Sequence, residues 1–237
     1  MDFEIKIKNK TFYSLKEFAK NIYLYPDESF ALIKSQKFIN FLYNYDEKMY
    51  NKIAELLGAP FSQDEVIFKV QYILNPLMEL RCHGYLFKDF KSLGSKILSY
   101  GPKIDIYLKD FLKYKLLSYY MHINKFDEKE PIIYQQVLNL EQEFLTNENR
   151  AYFKLGFLLE GSRCIVYNGK KFSTIKEFFD FIVNPVNISD FAIDFIKSQY
   201  TFAWLEILDY KSQIVLFENL VESVEQKERL NDNIREV

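Results

Sequence analysis

The sequence has few of the residues that build disulfide frameworks or long flexible linkers. Its 237 residues include two cysteines, two histidines, seven glycines, six prolines and a single tryptophan. Only five of its 31 basic residues are arginine, so bidentate recognition of phosphate is not indicated. No run of 18 apolar residues occurs, and we therefore expect no membrane-spanning helix and no membrane partner.

The first residues of the chain do not have the pattern of a secretion signal. Residues 1–8 alternate charged and apolar side chains, and no basic segment is followed by an apolar stretch. Two cysteines in such a chain are typical of reduced thiols in a cytosol. We therefore expect a cytoplasmic protein.

The composition is that of a folded protein with a nearly balanced charge. Hydrophobic residues make up 49% of the chain and aromatic residues 18%, and 31 basic residues face 33 acidic ones for a net charge of -2. An aromatic-rich chain of this length can bury a core, which excludes disordered and fibrous classes. The balance also argues against a surface built throughout for nucleic acid or anionic lipid.

Two parts of the chain repeat one another. Ile-Lys-Ser-Gln occurs at residues 33–36 and again at 196–199, and each copy continues to an aromatic residue followed by leucine. Upstream, residues 12–18 match residues 172–178. The two matches occur in the same order at similar offsets, which predicts an internal repeat.

A third copy is predicted between these two. Residues 90–93 match the first element, residues 111–121 match the second, and Arg-Cys precedes the first element at both 81–82 and 163–164. Cys82 and Cys164 are then equivalent positions in two copies. Dividing the 237 residues by three gives about 79 per copy. The predicted boundaries are 1–80, a basic and divergent 81–160, and 161–237 with a polar C-terminal cap at 227–233.

Each copy has the local signals of a hairpin followed by a helix. Asn168-Gly169 between short apolar runs is a strong hairpin signal. Ser14 with Glu17, and Thr174 with Glu177, fit the capping box at a helix start. In the middle copy Ser92 takes the cap position, Ser95 replaces the box glutamate, and Gly94 weakens the helix.

Further signals complete the predicted unit. Asp27 and Ser189, each following a proline, are candidate caps of the next helix. A turn is expected within Ile-Lys-Ser-Gln, and apolar helices are expected near 64–70 and 149–155. The predicted fold is mainly α with short β-hairpins, an α+β class, in which three tandem repeats stack into an elongated array.

This combination of hairpin, capping box and helix ending in an aromatic-Leu pair resembles repeats found in low-GC bacterial proteins. Those repeats sometimes accompany protein-kinase-like or chaperone-like domains, and they have no assigned chemistry. The resemblance implies an interaction module.

The residues that could carry chemistry are better explained by packing. Cys82, His83, His122 and Cys164 could ligate zinc, but neighbouring Cys82 and His83 would point to opposite faces of a strand. No motif supports a nucleophile pair of Cys164 with His122. Residues 156–163 resemble a phosphate loop but lack its Gly-Lys-Ser/Thr and lead from a helix into a strand. We therefore predict a core role for these cysteines, a core position for Trp204, and neither a catalytic residue, a cofactor nor a metal.

The most distinctive charged segment is the basic stretch 88–115. It contains seven lysines against three aspartates, a local surplus of four positive charges, with tyrosines interleaved. Lysines beside aromatic faces can follow a single-stranded nucleic acid, although an ordinary solvated surface is the favoured interpretation. The candidate partner-contact residues are Lys96, Lys103, Lys109, Lys113, Tyr114 and Lys115, of which Lys109 and Lys113 would share an exposed helical face.

Two functions follow as hypotheses. The first is a non-enzymatic protein–protein interaction module, an adaptor or a stand-alone inhibitor of a larger machine, because stacked repeats form extended binding surfaces. The alternative is a single-stranded RNA- or DNA-binding protein that uses the basic middle copy.

Overall fold

The computed structural model describes residues 4–161, 164–167, 169–182, 195, 197–209, 214–215, 218–219 and 222. Within these residues the chain is mainly helical with short antiparallel hairpins, as the sequence predicts. None of the described helices is both long enough and apolar enough to cross a membrane.

Three two-stranded hairpins are present in the described part of the chain. They are formed by β1 (Ile5–Ile7) with β2 (Lys10–Phe12), β3 (Leu80–Cys82) with β4 (Tyr85–Phe87), and β5 (Ile165–Tyr167) with β6 (Lys170–Phe172). All three have the same register, because the first residue of each hairpin pairs with a phenylalanine at its end: Ile5 with Phe12, Leu80 with Phe87, and Ile165 with Phe172.

Helices fill most of the remaining described chain. The helices before the second hairpin are α1 (Leu15–Asn21), α2 (Pro26–Ile33), α3 (Gln36–Tyr45), α4 (Glu47–Gly58) and α5 (Gln63–Leu74), with a 3₁₀ turn at Ile22–Leu24. Between the second and third hairpins are α6 (Phe90–Leu98), α7 (Asp110–Lys113), α8 (Leu116–Ile123), α9 (Phe126–Lys129), α10 (Pro131–Glu143) and α11 (Glu148–Glu160). After the third hairpin are α12 (Ile175–Ile182) and α13 (Gln199–Ile207).

The chain forms two compact units. Residues 1–88 and 107–139 belong to the first unit, and residues 89–106 and 140–237 belong to the second. The chain therefore leaves the first unit after the second hairpin and returns to it before α7. The repeat boundaries 1–80, 81–160 and 161–237 stay a prediction.

Helix α5 is the centre of the first unit. All nine of its residues from Val66 to Leu74 are buried, and it contacts α1, α2, α4 and α8. A helix buried on all sides is usually apolar all round, and here Lys69 and Gln71 are the polar residues within the buried run. The helix predicted near 64–70 is confirmed. Tyr72 also holds the second hairpin, because its hydroxyl donates to the Glu79 carbonyl (3.1 Å) and accepts from the Arg81 amide (2.8 Å).

Helix α11 has the same role in the second unit, where it contacts α6 and α13. Phe153 and Phe157 of α11 meet the Tyr200 ring, each with a centroid separation of 5.2 Å. Trp204 is fully buried and lies edge-on to Phe178 at 5.6 Å. Its predicted core position is confirmed.

Helices α1 and α12, which follow the first and third hairpins, begin at the predicted cap residues. One of the two hydrogen bonds expected of each capping box is present, and the other differs. The Ser14 hydroxyl accepts from the Glu17 amide (3.1 Å), and Thr174 accepts from Glu177 in the same way (3.2 Å). Each glutamate carboxylate, however, accepts from the amide one residue before the cap, at Tyr13 (2.9 Å) and Ser173 (3.0 Å). The glutamates therefore also fix the chain that enters the helix.

The predicted alignment of the middle copy is wrong by three residues. Phe87, not Phe90, pairs across its hairpin as Phe12 and Phe172 do. Helix α6 consequently begins at Phe90 with Asp89 as its cap, and Ser92 takes the place assigned to the box glutamate. Asp89 and Ser92 form a complete capping box.

This shift also separates the two cysteines. Cys82 is buried at the end of β3, which confirms its core role. Cys164 precedes β5 and is partly exposed, so the core role predicted for it is wrong and the two cysteines are not equivalent positions.

Of the two structural features predicted around the first Ile-Lys-Ser-Gln segment, the turn is correct and the cap at Asp27 is not. The expected turn is present, because α2 ends at Ile33 and Ser35 caps α3. Asp27 is not a cap, since α2 already begins at Pro26. The signals predicted at Arg163, Asn168, Ser189 and 227–233 lie outside the described residues.

Candidate functional site

The six predicted contact residues belong to two different units. Lys96 and Lys103 are part of the second unit, whereas Lys109, Lys113, Tyr114 and Lys115 are part of the first. That they act together as one site stays a prediction.

Two of the predicted lysines pack on neighbouring tyrosines. The Lys96 ammonium lies 4.6 Å from the ring centroid of Tyr100 and 2.6 Å from its hydroxyl oxygen. The Lys113 ammonium likewise lies 4.6 Å from the ring centroid of Tyr114. Both ammonium groups therefore already contact neighbouring side chains.

The remaining predicted lysines are in irregular chain. Lys103 is exposed in the turn after α6. Lys109 caps the four-residue helix α7 and is half-buried, so it does not share an exposed helical face with Lys113 as expected. Lys115 is exposed and has a left-handed backbone with φ of 53°.

A groove with an apolar floor and a basic rim lies on the first unit. Its volume is about 440 Å³, and it is formed by the start of α1, the end of α3, α4 and the end of α5. The apolar residues that line it are Leu15, Met49, Ile73, Leu74 and Pro76.

The rim of this groove carries more positive than negative charge. Lys16, Lys48 and Lys52 line it together with a single carboxylate, Asp46. The Asp46 carboxylate accepts a hydrogen bond from the Met49 amide at 3.0 Å and caps α4. The charges of the lining residues therefore favour a negatively charged ligand.

Tyr45 supplies an aromatic wall at the end of α3. It lines the groove with 63% of its surface exposed, and its ring is stacked on Phe41 with centroids 5.4 Å apart. Tyrosine with one apolar face supported and the other open is characteristic of protein interfaces. The sequence patterns did not indicate this groove, because its lining residues are spread from position 14 to position 76.

A second site joins residues that the sequence did not connect. One polar atom from each of Asp64, His83 and Asp110 lies within 4.8 Å of the others. His83 is in the turn between β3 and β4 rather than on the strand, which corrects the prediction that it faces away from Cys82 along a strand. Its Nε2 atom is 2.7 Å from Asp110 Oδ2.

Comparisons with protein-family models, curated proteins and solved structures found no match for this chain. Function is therefore inferred from the residues and their geometry.

Proposed function

We propose that the protein is a non-enzymatic protein–protein interaction module, an adaptor or stand-alone inhibitor that acts in the cytoplasm. The observation that carries this proposal is the groove described above, with its apolar floor, its three-lysine rim and the exposed ring of Tyr45. A concave apolar surface with an aromatic anchor and a charged rim has the composition of a protein interface.

Helix contacts support the three-repeat organisation on which the proposal draws. Helix α5, which ends the first proposed repeat, contacts α1 of the same repeat and α8 of the next. Helix α11, which ends the second, contacts α6 of its own repeat and α13 of the next. Contacts between each repeat and its neighbour are what stabilise stacked arrays. The resemblance to bacterial repeats without assigned chemistry agrees with such a role.

We expect the partner segment to carry acidic residues next to an apolar side chain. Three lysines at the rim favour carboxylates on the partner, and the floor of Leu15, Met49 and Ile73 favours an aromatic or aliphatic side chain. A groove of about 440 Å³ accommodates only a few such side chains, so one short segment would enter it.

Charge reversal of the rim tests the proposal. The tagged full chain and its Lys48→Glu/Lys52→Glu variant are used for pull-downs from the native host at low and moderate salt. We expect the wild type to recover a stoichiometric partner and the variant to bind it at least about tenfold more weakly, because like charges oppose docking. Binding of the recovered partner is then measured directly with purified proteins.

Lys10→Glu/Lys37→Glu is the matched control. Both lysines are exposed residues of the same unit, and neither lines the groove. This variant has the same net charge as the rim variant and should keep wild-type affinity. Recovery of no stoichiometric partner, or equal weakening by both variants, would contradict the proposal.

Single-stranded nucleic acid binding is the second candidate, because of the four-charge surplus in residues 88–115. The contacts of Lys96 with Tyr100 and of Lys113 with Tyr114 compete with contacts from these lysines to a nucleic acid backbone. If this function is correct, the wild type shifts single-stranded oligonucleotides at low salt, and Lys109→Glu/Lys113→Glu abolishes the shift. Absence of a wild-type shift at low salt would eliminate this candidate.

A further inference from the structure

The second site combines side chains from three separate elements of the first unit. Asp64 is in the first turn of α5, His83 is in the β3–β4 turn, and Asp110 is the first residue of α7. All three residues are partly buried, and the side chains of His83 and Asp110 are only 17% and 16% exposed. The protein therefore holds two carboxylates and an imidazole together in a poorly hydrated position.

His83 occupies the first position of a tight two-residue turn. Its φ is 45°, in the left-handed region, and the following Gly84 has φ of 83°. Asparagine or glycine most often occupies the first position of such a two-residue turn, and histidine is among the other residues found with positive φ. Lys8 has a similar φ of 50° at the same position of the first hairpin. The turn places the imidazole between the rings of Tyr23 (centroids 5.9 Å apart) and Tyr107 (5.3 Å).

The charges of the cluster favour a cation. The carboxylates of Asp64 and Asp110 approach within 4.8 Å of each other, and a single imidazole accompanies them. At this separation and with limited solvent, two negative charges repel one another strongly. A divalent ion between them would remove that repulsion.

Tyr23 provides an independent observation at the same place. Among the described residues its hydroxyl oxygen is buried without a hydrogen-bond partner. Burial raises the pKa of this phenol well above its usual value, and the nearby Cys82, Tyr72, Asp64 and Asp110 raise it further. A buried hydroxyl normally has a partner, and the Tyr23 ring lies 5.9 Å from the His83 ring, so a water held at this cluster would supply the missing partner.

We propose that Asp64, His83 and Asp110 bind a first-row divalent transition-metal ion, with Tyr23 hydrogen-bonded to a water on that ion. Imidazole nitrogen combined with carboxylate oxygen suits Zn²⁺ or Mn²⁺, whereas Ca²⁺ and Mg²⁺ prefer all-oxygen sites. Zinc binds these atoms at about 2.0–2.2 Å, so atoms already within 4.8 Å of each other need only small side-chain movements to share one ion. Three protein ligands leave at least one position for water.

The chain contains a natural control for this site. Its only other histidine, His122, also has a carboxylate partner at 2.7 Å, Asp127. That pair is not part of any cluster of three metal-binding side chains in the described chain. A single histidine–carboxylate pair can therefore be compared with the three-residue cluster in one molecule.

Metal affinity is measured on the chelator-treated full chain by competition with a chromophoric chelator. We expect one Zn²⁺ per chain, little competition from Mg²⁺, and a loss of affinity on the order of 100-fold or more for His83→Gln or Asp110→Asn. Tyr23→Phe should cost roughly tenfold, as expected for an outer-shell partner. His122→Gln and Asp127→Asn should bind as the wild type does.

A second measurement requires no variant. With two histidines in the chain, substoichiometric Mn²⁺ should broaden the imidazole NMR signals of His83 and leave those of His122 unaffected. Broadening of both histidines alike, or the absence of saturable Zn²⁺ binding to the wild type, would overturn the proposal and leave His83 and Asp110 as a structural pair. Retention of wild-type Zn²⁺ affinity by His83→Gln would also overturn it.

Discussion

Gly94 of α6 lies directly against Gly156 of α11. A Cβ atom on Gly94 would be 2.7 Å from the Gly156 carbonyl oxygen and even closer to the Glu160 amide nitrogen. A Cβ atom on Gly156 would be 2.6 Å from the Ile97 side chain. The two helices can approach this closely only because neither residue has a side chain.

We expect Gly94→Ala to destabilise the second unit by about 2–3 kcal/mol, because its neighbours are backbone atoms that cannot rearrange. This cost should exceed the gain of roughly 1 kcal/mol that alanine normally brings to a helix interior. Urea unfolding followed by fluorescence of the single tryptophan, Trp204, measures the effect, since Trp204 is buried in the same unit.

Gly58→Ala is the control for this substitution. Gly58 ends α4, and a Cβ atom there has no neighbour within 4 Å. We expect the free energy of unfolding to stay the same or to rise by up to about 1 kcal/mol. Circular dichroism is used to measure it, because Gly58 belongs to the first unit and Trp204 to the second. If Gly94→Ala were as stable as the wild type, α6 and α11 would not be packed this closely.

The cap of α6 gives a second prediction. Asp89→Ala removes the bond from the Ser92 amide to Asp89 Oδ1 (2.7 Å) and should cost about 1 kcal/mol. Ser95→Ala changes an exposed position inside the helix and should be neutral or slightly stabilising. If Ser95→Ala destabilised the protein more than Asp89→Ala in urea unfolding monitored at Trp204, the helix start predicted from sequence would be the correct one.

An ion-pair network joins α11 to α13 in the second unit. Arg150 Nη1 contacts Glu206 at 2.8 Å, and Lys154 contacts both Glu206 and Glu143. Because these groups are about one-fifth exposed, Glu206→Gln should cost about 1–2 kcal/mol, between the values of exposed and fully buried pairs. Thermal unfolding at low and high salt measures this cost. Glu4→Gln, which breaks the exposed pair with Lys6, should leave the melting temperature unchanged.

Alkaline pH should destabilise the second unit through Tyr200. Burial raises the pKa of this phenol to about 12 from an ordinary value of 10.0. Since folding favours the neutral form, the contribution of Tyr200 to stability is complete below pH 10 and is lost as the pH rises from about 10 to 12. Urea midpoints at several pH values, read from Trp204, should decline over this range.

Tyr200→Phe isolates that effect. The variant loses the hydrogen bond with the Val166 backbone and should be less stable at neutral pH, but the decline between pH 10 and 12 should become shallower. An unchanged slope would mean that other groups cause the alkaline transition.

Features held by hydrogen bonds between near neighbours were predictable from the residues in order. Ser14 and Thr174 were identified as caps because a cap and its target amide are three residues apart. The helices near 64–70 and 149–155 were identified from apolar spacing, since burial of a helix requires it. Such patterns describe single elements and do not say which elements meet.

Where the structure differs from the predictions made from sequence, contacts between distant residues are the cause. Phe87 and Phe90 are three residues apart in similar contexts, and pairing with Leu80 across the hairpin selects Phe87. Gly94 is a poor helix former in isolation, yet it allows the close approach of Gly156 and Glu160 in α11, more than 60 residues along the chain. Asp64, His83 and Asp110 converge because α5, a hairpin and α7 pack in one unit. The order of the residues therefore specified the elements, and long-range packing selected the register, the close helix crossing and the shared polar cluster, because each depends on residues that only the folded chain brings together.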